Sequence, residues 1–143
     1  MQIIYSDLLW IGNACDLRNP KSLFDACISA VVDVAYEEEP ARLPRELLYC
    51  RFPIFDGSGN DAVVLRQSVQ TIVDLLGART RTIVTCSAGM SRSPAIAAAA
   101  LAVHLGDSPD AVIQRIGDAK GLEVSSSLWS ELLSVLSEVR TRN

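Results

Sequence analysis

Thr82-Ile83-Val84-Thr85-Cys86-Ser87-Ala88-Gly89-Met90-Ser91-Arg92-Ser93-Pro94, followed by the alanine-rich segment Ala95 to Leu105, is the stretch whose reading decides the fold. The β-branched run Thr82 to Thr85 has the composition of a buried strand, and the alanine-rich segment that of a helix. Between them the small residues Ser87, Ala88 and Gly89 permit a tight, partly left-handed turn. In such a turn the backbone N–H groups of Ser87 through Arg92 converge as a nest. A helix starting near Arg92 adds its unpaired N–H groups and the positive end of its dipole. That cradle fits a tetrahedral oxyanion. Arg92 offers a planar fork for two of the anion's oxygens, and the same field favours the thiolate of Cys86. Nucleophile and anion site coincide, as covalent phosphoryl transfer requires.

The pattern needs all its parts. With four cysteines and eleven arginines in 143 residues, Cys-x5-Arg arises by chance with probability roughly 0.3. Requiring Gly89 three places after the cysteine and Ser93 after the arginine lowers this to a few per thousand, on the order of magnitude. The flanking strand and helix add independent agreement.

Working outward, Ile3 to Tyr5 and Leu8 to Ile11 flank a Ser6-Asp7 turn and predict a hairpin or two short strands. Asp16 to Ala26 predicts one short helix covering a sheet. Ala30 to Val34 and Leu47 to Phe52 predict strands. Tyr36 to Arg45 between them, with Pro40 and Pro44, predicts a solvated loop whose Glu37-Glu38-Glu39 is surface charge. Ile54 to Asp61 is a glycine-rich loop holding Asp56 and Asp61, with Asn60 or Asp61 placed to cap a helix. In that helix Val64, Leu65, Val69, Ile72, Val73 and Leu76 recur at spacings of three and four, and Gly77 ends it. Past Leu105, Gly106 to Asp110 reads as C-cap, turn and N-cap before a short helix, Ala111 to Ile116. A last amphipathic helix follows Ser125 to Ser127, with Leu128, Leu132, Leu133, Val135 and Leu136 on its apolar face. Trp10 and Trp129 read as core anchors. The alternation predicts one α/β domain over residues 1–143, a mostly parallel central sheet of about five strands flanked by helices.

Composition excludes several classes. An apolar content of 49% with 21% charged residues is that of a globular chain. The net charge of −4 argues against a nucleic-acid binder. The longest apolar run, Ala95 to Val103, is too short to cross a bilayer, and Met1 to Asp7 shows no signal-peptide pattern. The expectation is a soluble, cytoplasmic protein with no membrane partner. Cys15, Cys27, Cys50 and Cys86 form no CxxC pair and lack histidines at metal spacing, so free thiols are expected, and no metal. The single histidine, His104, reads as a packed or half-exposed helix residue and leaves no material for a Cys-His protease.

Cys86 to Pro94 resembles the phosphate-binding loop of the dual-specificity branch of the cysteine-based protein tyrosine phosphatases. Arg51-Phe52-Pro53-Ile54-Phe55-Asp56-Gly57 is similar to the strand and loop bearing that family's general acid. Leu9 to Ala14 is similar to its N-terminal strand, and Ser125 to Leu133 to its closing helix, so the resemblance spans nearly the whole chain. It implies Cys86 as nucleophile and Arg92 as the ligand of the equatorial oxygens. It implies Ser93 as hydrogen-bond donor to the departing thiolate, and Asp56 as acid and then base. Ser87, Ala88, Gly89, Met90, Ser91 and Arg92 would bind the phosphate. No cofactor is implied, and oxyanions such as vanadate or sulfate should enter the loop.

The family usually has histidine immediately before the cysteine, where this chain has Thr85. The acid is a choice between Asp56 and Asp61, and the family's spacing to Cys86 favours Asp56. Cys50 near the acid loop is either a strand cysteine or an oxidation partner of Cys86. The expected substrate is phosphotyrosine, with phosphoserine and phosphothreonine, in a protein or peptide. Open alternatives are an RNA 5′-phosphate, a phospholipid or a small phosphate ester, and a catalytically weak phosphate-reading module.

Overall fold

In the computed structural model, which describes residues 1–141, five strands form one sheet in the order β1-β2-β5-β3-β4. They are β1 (Gln2–Tyr5), β2 (Leu9–Asn13), β3 (Ala30–Asp33), β4 (Leu48–Arg51) and β5 (Thr82–Cys86). The β1–β2 pair is antiparallel and every other neighbouring pair is parallel. The predicted strand before Cys86 is therefore the centre of the sheet.

Side chains alternate across it. Leu9 and Ile11 of β2, Val32 of β3 and Val84 of β5 enter one core, while Trp10, Val31 and Ile83 enter a second on the opposite face. This period of two is what a sheet covered on both faces demands. Helices α2 (Ala62–Gly77), α3 (Arg92–Leu105), α4 (Pro109–Lys120) and α5 (Ser126–Val135) supply the first core. Leu17 and Leu23, from a 3-10 helix (Ala14–Arg18) and α1 (Pro20–Asp25), supply the second.

Helix α3 is buried from Arg92 through Ala102. A helix without a polar face has to be enclosed. Its alanines let β5, β2, α2, α4 and α5 all pack against it. The enclosure fixes its N-terminus at the end of the central strand.

Four expectations change. Asp16 to Ala26 is two elements, because Asn13 and Asp16 form a capping box for the 3-10 helix and Pro20 starts α1. Asn19 before that proline is driven out of helical geometry, to φ −125° and ψ 79°. Helix α4 is longer than Ala111 to Ile116, since Ser108 caps it, Pro109 opens it and Gly121 ends it at φ +66°. Gly77 is the last residue of α2, as expected, and the left-handed residue beyond it is Arg79, at φ 56°. Trp10 is a core anchor but Trp129 is only half-buried, its indole N–H donating to Asp110 Oδ1 at 2.8 Å. Leu133 likewise faces out of the core. His104 packs edge-on against Tyr5, ring centroids 6.0 Å apart. No helix among the described residues is long and apolar enough to cross a membrane.

Candidate active site

Cys86 is the last residue of β5 and Arg92 the first of α3, so the loop Ser87 to Ser91 is bounded by two fixed elements. Gly89 makes its turn at φ +77°, where a Cβ would lie 2.9 Å from the Gly12 carbonyl oxygen. Only glycine meets both conditions. Its N–H donates to Cys86 Sγ at 3.2 Å. The thiol donates to Ser93 Oγ at 3.3 Å, and that hydroxyl donates to the Gly12 carbonyl at 3.3 Å. Cys86 and Ser93 are both buried.

The Arg92 guanidinium is held from one side. Nη1 donates to Glu37 Oε1 at 2.6 Å and to the Ile54 carbonyl at 2.9 Å. Nη2 donates to Glu37 Oε2 at 2.6 Å and to Ser87 Oγ at 3.3 Å. Ser87 Oγ in turn donates to Glu37 Oε2 at 2.8 Å. The third donor, Nε, is buried and has no partner among the described residues. The hydrogen bonds from Arg92 hold the Glu37 carboxyl down to about 2, against a smaller opposing effect of burial. Glu37 also raises the Arg92 guanidinium above its ordinary value.

This pair corrects the reading of Glu37-Glu38-Glu39 as surface charge. Its side chain is 54% exposed while that of Arg92 is 5% exposed, so Glu37 reaches in from solvent to a buried cation. A charge run carries no local sign of such a contact, which spans 55 residues.

Asp56 is brought to the loop and Asp61 is not. Ser91 Oγ donates to Asp56 Oδ1 at 2.6 Å and accepts from the Ser125 N–H at 3.0 Å. Ser91 thus makes no side-chain cap for α3. Asp61 instead caps α2 through the Val63 N–H at 2.8 Å. Asn60 does not cap; it is bonded within the acid loop, to Phe55 and Gly57.

A cavity of about 290 Å³ opens over these groups, lined by Glu37, Asp56, Cys86, Ser87, Ala88, Met90, Ser91, Arg92 and Glu123. Glu123 was not singled out by the sequence; its N–H donates to the Met90 carbonyl at 3.0 Å. A larger cavity, about 570 Å³, shares Glu37 but contains neither Cys86 nor Arg92. Among the described residues no three His, Cys, Asp or Glu side chains are grouped as a metal site.

Thr85 is buried and its hydroxyl has no partner among the described residues. Cys50 is half-buried on β4, and burial pushes its thiol up. The register Cys50–Val32–Val84 places β3 between Cys50 and β5. Two strand spacings amount to about 10 Å, beyond the reach of a disulfide without backbone movement. All four cysteines are free thiols.

The five-stranded, parallel-centred α/β fold is shared with solved dual-specificity phosphatases. Human DUSP28 superposes with a TM-score of 0.83 at 22% identity, covering 96% of each chain. A mouse putative dual specificity phosphatase, solved in complex with zinc tungstate, gives 0.79 at 26% identity over 91% of this chain and 82% of that one. The human tyrosine phosphatase-like serine/threonine/tyrosine-interacting protein gives 0.82 at 17% identity, covering 96% of each chain. No protein-family model and no curated protein matches the chain in sequence. The fold expected from the Cys86 to Pro94 resemblance is thereby upheld.

Proposed function

We propose that this chain is a cysteine-dependent phosphomonoester hydrolase acting on phosphotyrosine, and on phosphoserine and phosphothreonine, in proteins. The observation that carries the reading is the Arg92 guanidinium. It is buried beside the nucleophile, locked at both terminal nitrogens, and left with Nε unpaired among the described residues. A buried unpaired donor costs about 1–3 kcal/mol, a cost an incoming oxyanion would relieve. The loop N–H groups of Ser87, Ala88, Gly89, Met90 and Ser91 would complete the cradle. Tungstate is itself a tetrahedral oxyanion, and its complex with the mouse relative supports oxyanion binding here.

The chemistry follows in two steps. Cys86 Sγ, as the thiolate, attacks phosphorus, forming the S–P bond as the P–O bond to the leaving group breaks. Asp56 gives its proton to the leaving oxygen. Water then attacks the phosphocysteine; Asp56 takes a proton from it and the S–P bond breaks. Ser93 turns its hydroxyl hydrogen from the Gly12 carbonyl to the departing thiolate. Arg92 follows the charge on the equatorial oxygens through both steps.

Two features support an aryl group on a protein. Tyr36 and Phe55 form an exposed tilted pair, centroids 4.2 Å apart, each one residue from a group lining the cavity. Among the described residues Arg92 is the only basic one lining that cavity, beside Glu37, Asp56 and Glu123. Such a mouth disfavours polyanions such as RNA or multiply phosphorylated lipid heads. The four free thiols suit a reducing compartment and support a cytoplasmic placement.

Release of phosphate from an aryl phosphate and from a phosphopeptide panel tests the reading. Wild type should exceed Cys86→Ser by at least about 10³-fold, with vanadate inhibiting. Equal rates for the two would leave a phosphate-reading module and end the hydrolase proposal.

A further inference from the structure

Asp56 stands on an irregular loop between β4 and α2, beside Gly59 in the left-handed region at φ +87°. A loop of that kind has many alternatives, yet a proton donor has to be held within hydrogen-bond reach of the leaving oxygen. Glu131 of α5 supplies a restraint from far along the chain. Its Oε2 accepts the Gly59 N–H at 2.8 Å, and its Oε1 accepts the Asn60 N–H at 3.2 Å and Asn60 Nδ2 at 3.1 Å. Asn60 closes the loop on itself. Its Oδ1 accepts the Phe55 N–H at 2.7 Å, and its Nδ2 donates to the carbonyls of Phe55 at 3.2 Å and Gly57 at 3.0 Å. Asp56 is thus inside a ring tied by Asn60, and the ring is tied to α5 by Glu131.

Helix α5 is itself fixed by buried Leu128, Leu132 and Val135. The same helix reaches the phosphate loop, because its N-cap Ser125 donates to Ser91 Oγ and Ser91 holds Asp56 Oδ1. The acid is therefore gripped from two points of one rigid element. The hydrogen bond from the Gly59 N–H also holds the Glu131 carboxyl below its ordinary value, so it is ionised across the neutral range.

We infer that Glu131 is a positioning residue for proton transfer, holding the Asp56 loop against the phosphate loop before substrate arrives. This rests on Asp56 being the general acid. The test compares phenyl phosphate, whose leaving group needs a proton, with 2,4-dinitrophenyl phosphate, whose leaving group departs as the anion. Glu131→Ala should lower kcat/KM on phenyl phosphate about 10-fold, part of the effect expected of the acid itself, and change the dinitrophenyl ester by less than about 2-fold. Vanadate inhibition should stay within about 2-fold of wild type, because the cradle is untouched. Glu131→Gln, which keeps one acceptor oxygen, should fall between. Asn60→Asp, which keeps Oδ1 but loses the amide donor, should reproduce the alanine pattern if Glu131→Ala is poorly folded. An equal loss on both esters, a loss of vanadate affinity, or no loss in a folded variant would overturn the inference. Asp56→Ala separates the two layers. If it shows no leaving-group dependence, the general-acid reading fails; if it does and Glu131→Ala does not, only the positioning role fails.

Discussion

Arg92 is buried and positively charged, and Glu37 makes that tolerable. Glu37→Gln keeps the shape of the contact and removes its charge, so kcat/KM should fall about 10-fold as the guanidinium loses its fixed orientation. The pair also has a pH signature. The folded-state value of Glu37, about 2, lies below its ordinary 4.5. Its contribution to stability is therefore complete above that ordinary value and is lost as pH falls from there toward the folded one. Thermal unfolding of wild type and Glu37→Gln should differ near neutrality and converge at the acid end of that window. Thr85 presents the opposite case, a buried hydroxyl with no partner among the described residues. Thr85→Val keeps the shape and deletes the orphan, so urea unfolding should show no loss and a gain of up to about 1 kcal/mol. Vanadate inhibition should not move.

At the scale of elements, α3 transmits the constraint. Its alanines set how closely β5, α2 and α4 approach, and that distance fixes where Arg92 stands. Ala98, fully buried in the middle of the helix, has no room for more atoms. Ala98→Leu should destabilise by about 1–3 kcal/mol in denaturant unfolding through overpacking. Helix α2 separates the two acids by role. Asp61→Ala should cost about 1 kcal/mol as a lost N-cap while leaving the leaving-group dependence of the rate unchanged. Asp56→Ala should do the reverse.

Over the whole molecule, legibility tracked the range of the interactions. The strand, loop and helix around Cys86 were readable because their signals are local: β-branched residues, one glycine turn, an alanine run. Trp129 misled because a large apolar side chain with a polar tip does not say which end is wet, and only the position of Asp110 on α4 decided it. Leu133 misled because the apolar stripe of α5 is wider than the face the core accepts. Asp16 to Ala26 was local after all; Asn19-Pro20 was a readable break in the predicted helix.

The primary structure already specifies the Cys86 loop, the arginine six positions on, the glycine between them and the α/β alternation, because chain connectivity forces those groups together. Tertiary structure brings Asp56, which the spacing to Cys86 already favoured, to the loop, and it alone pairs Glu37 with Arg92 and sets Glu131 against the ring around Asp56. Those contacts join residues 35 to 72 positions apart. Backbone periodicity does not encode them; they exist only once the sheet order and the enclosure of α3 have set β5, the acid loop and α5 side by side.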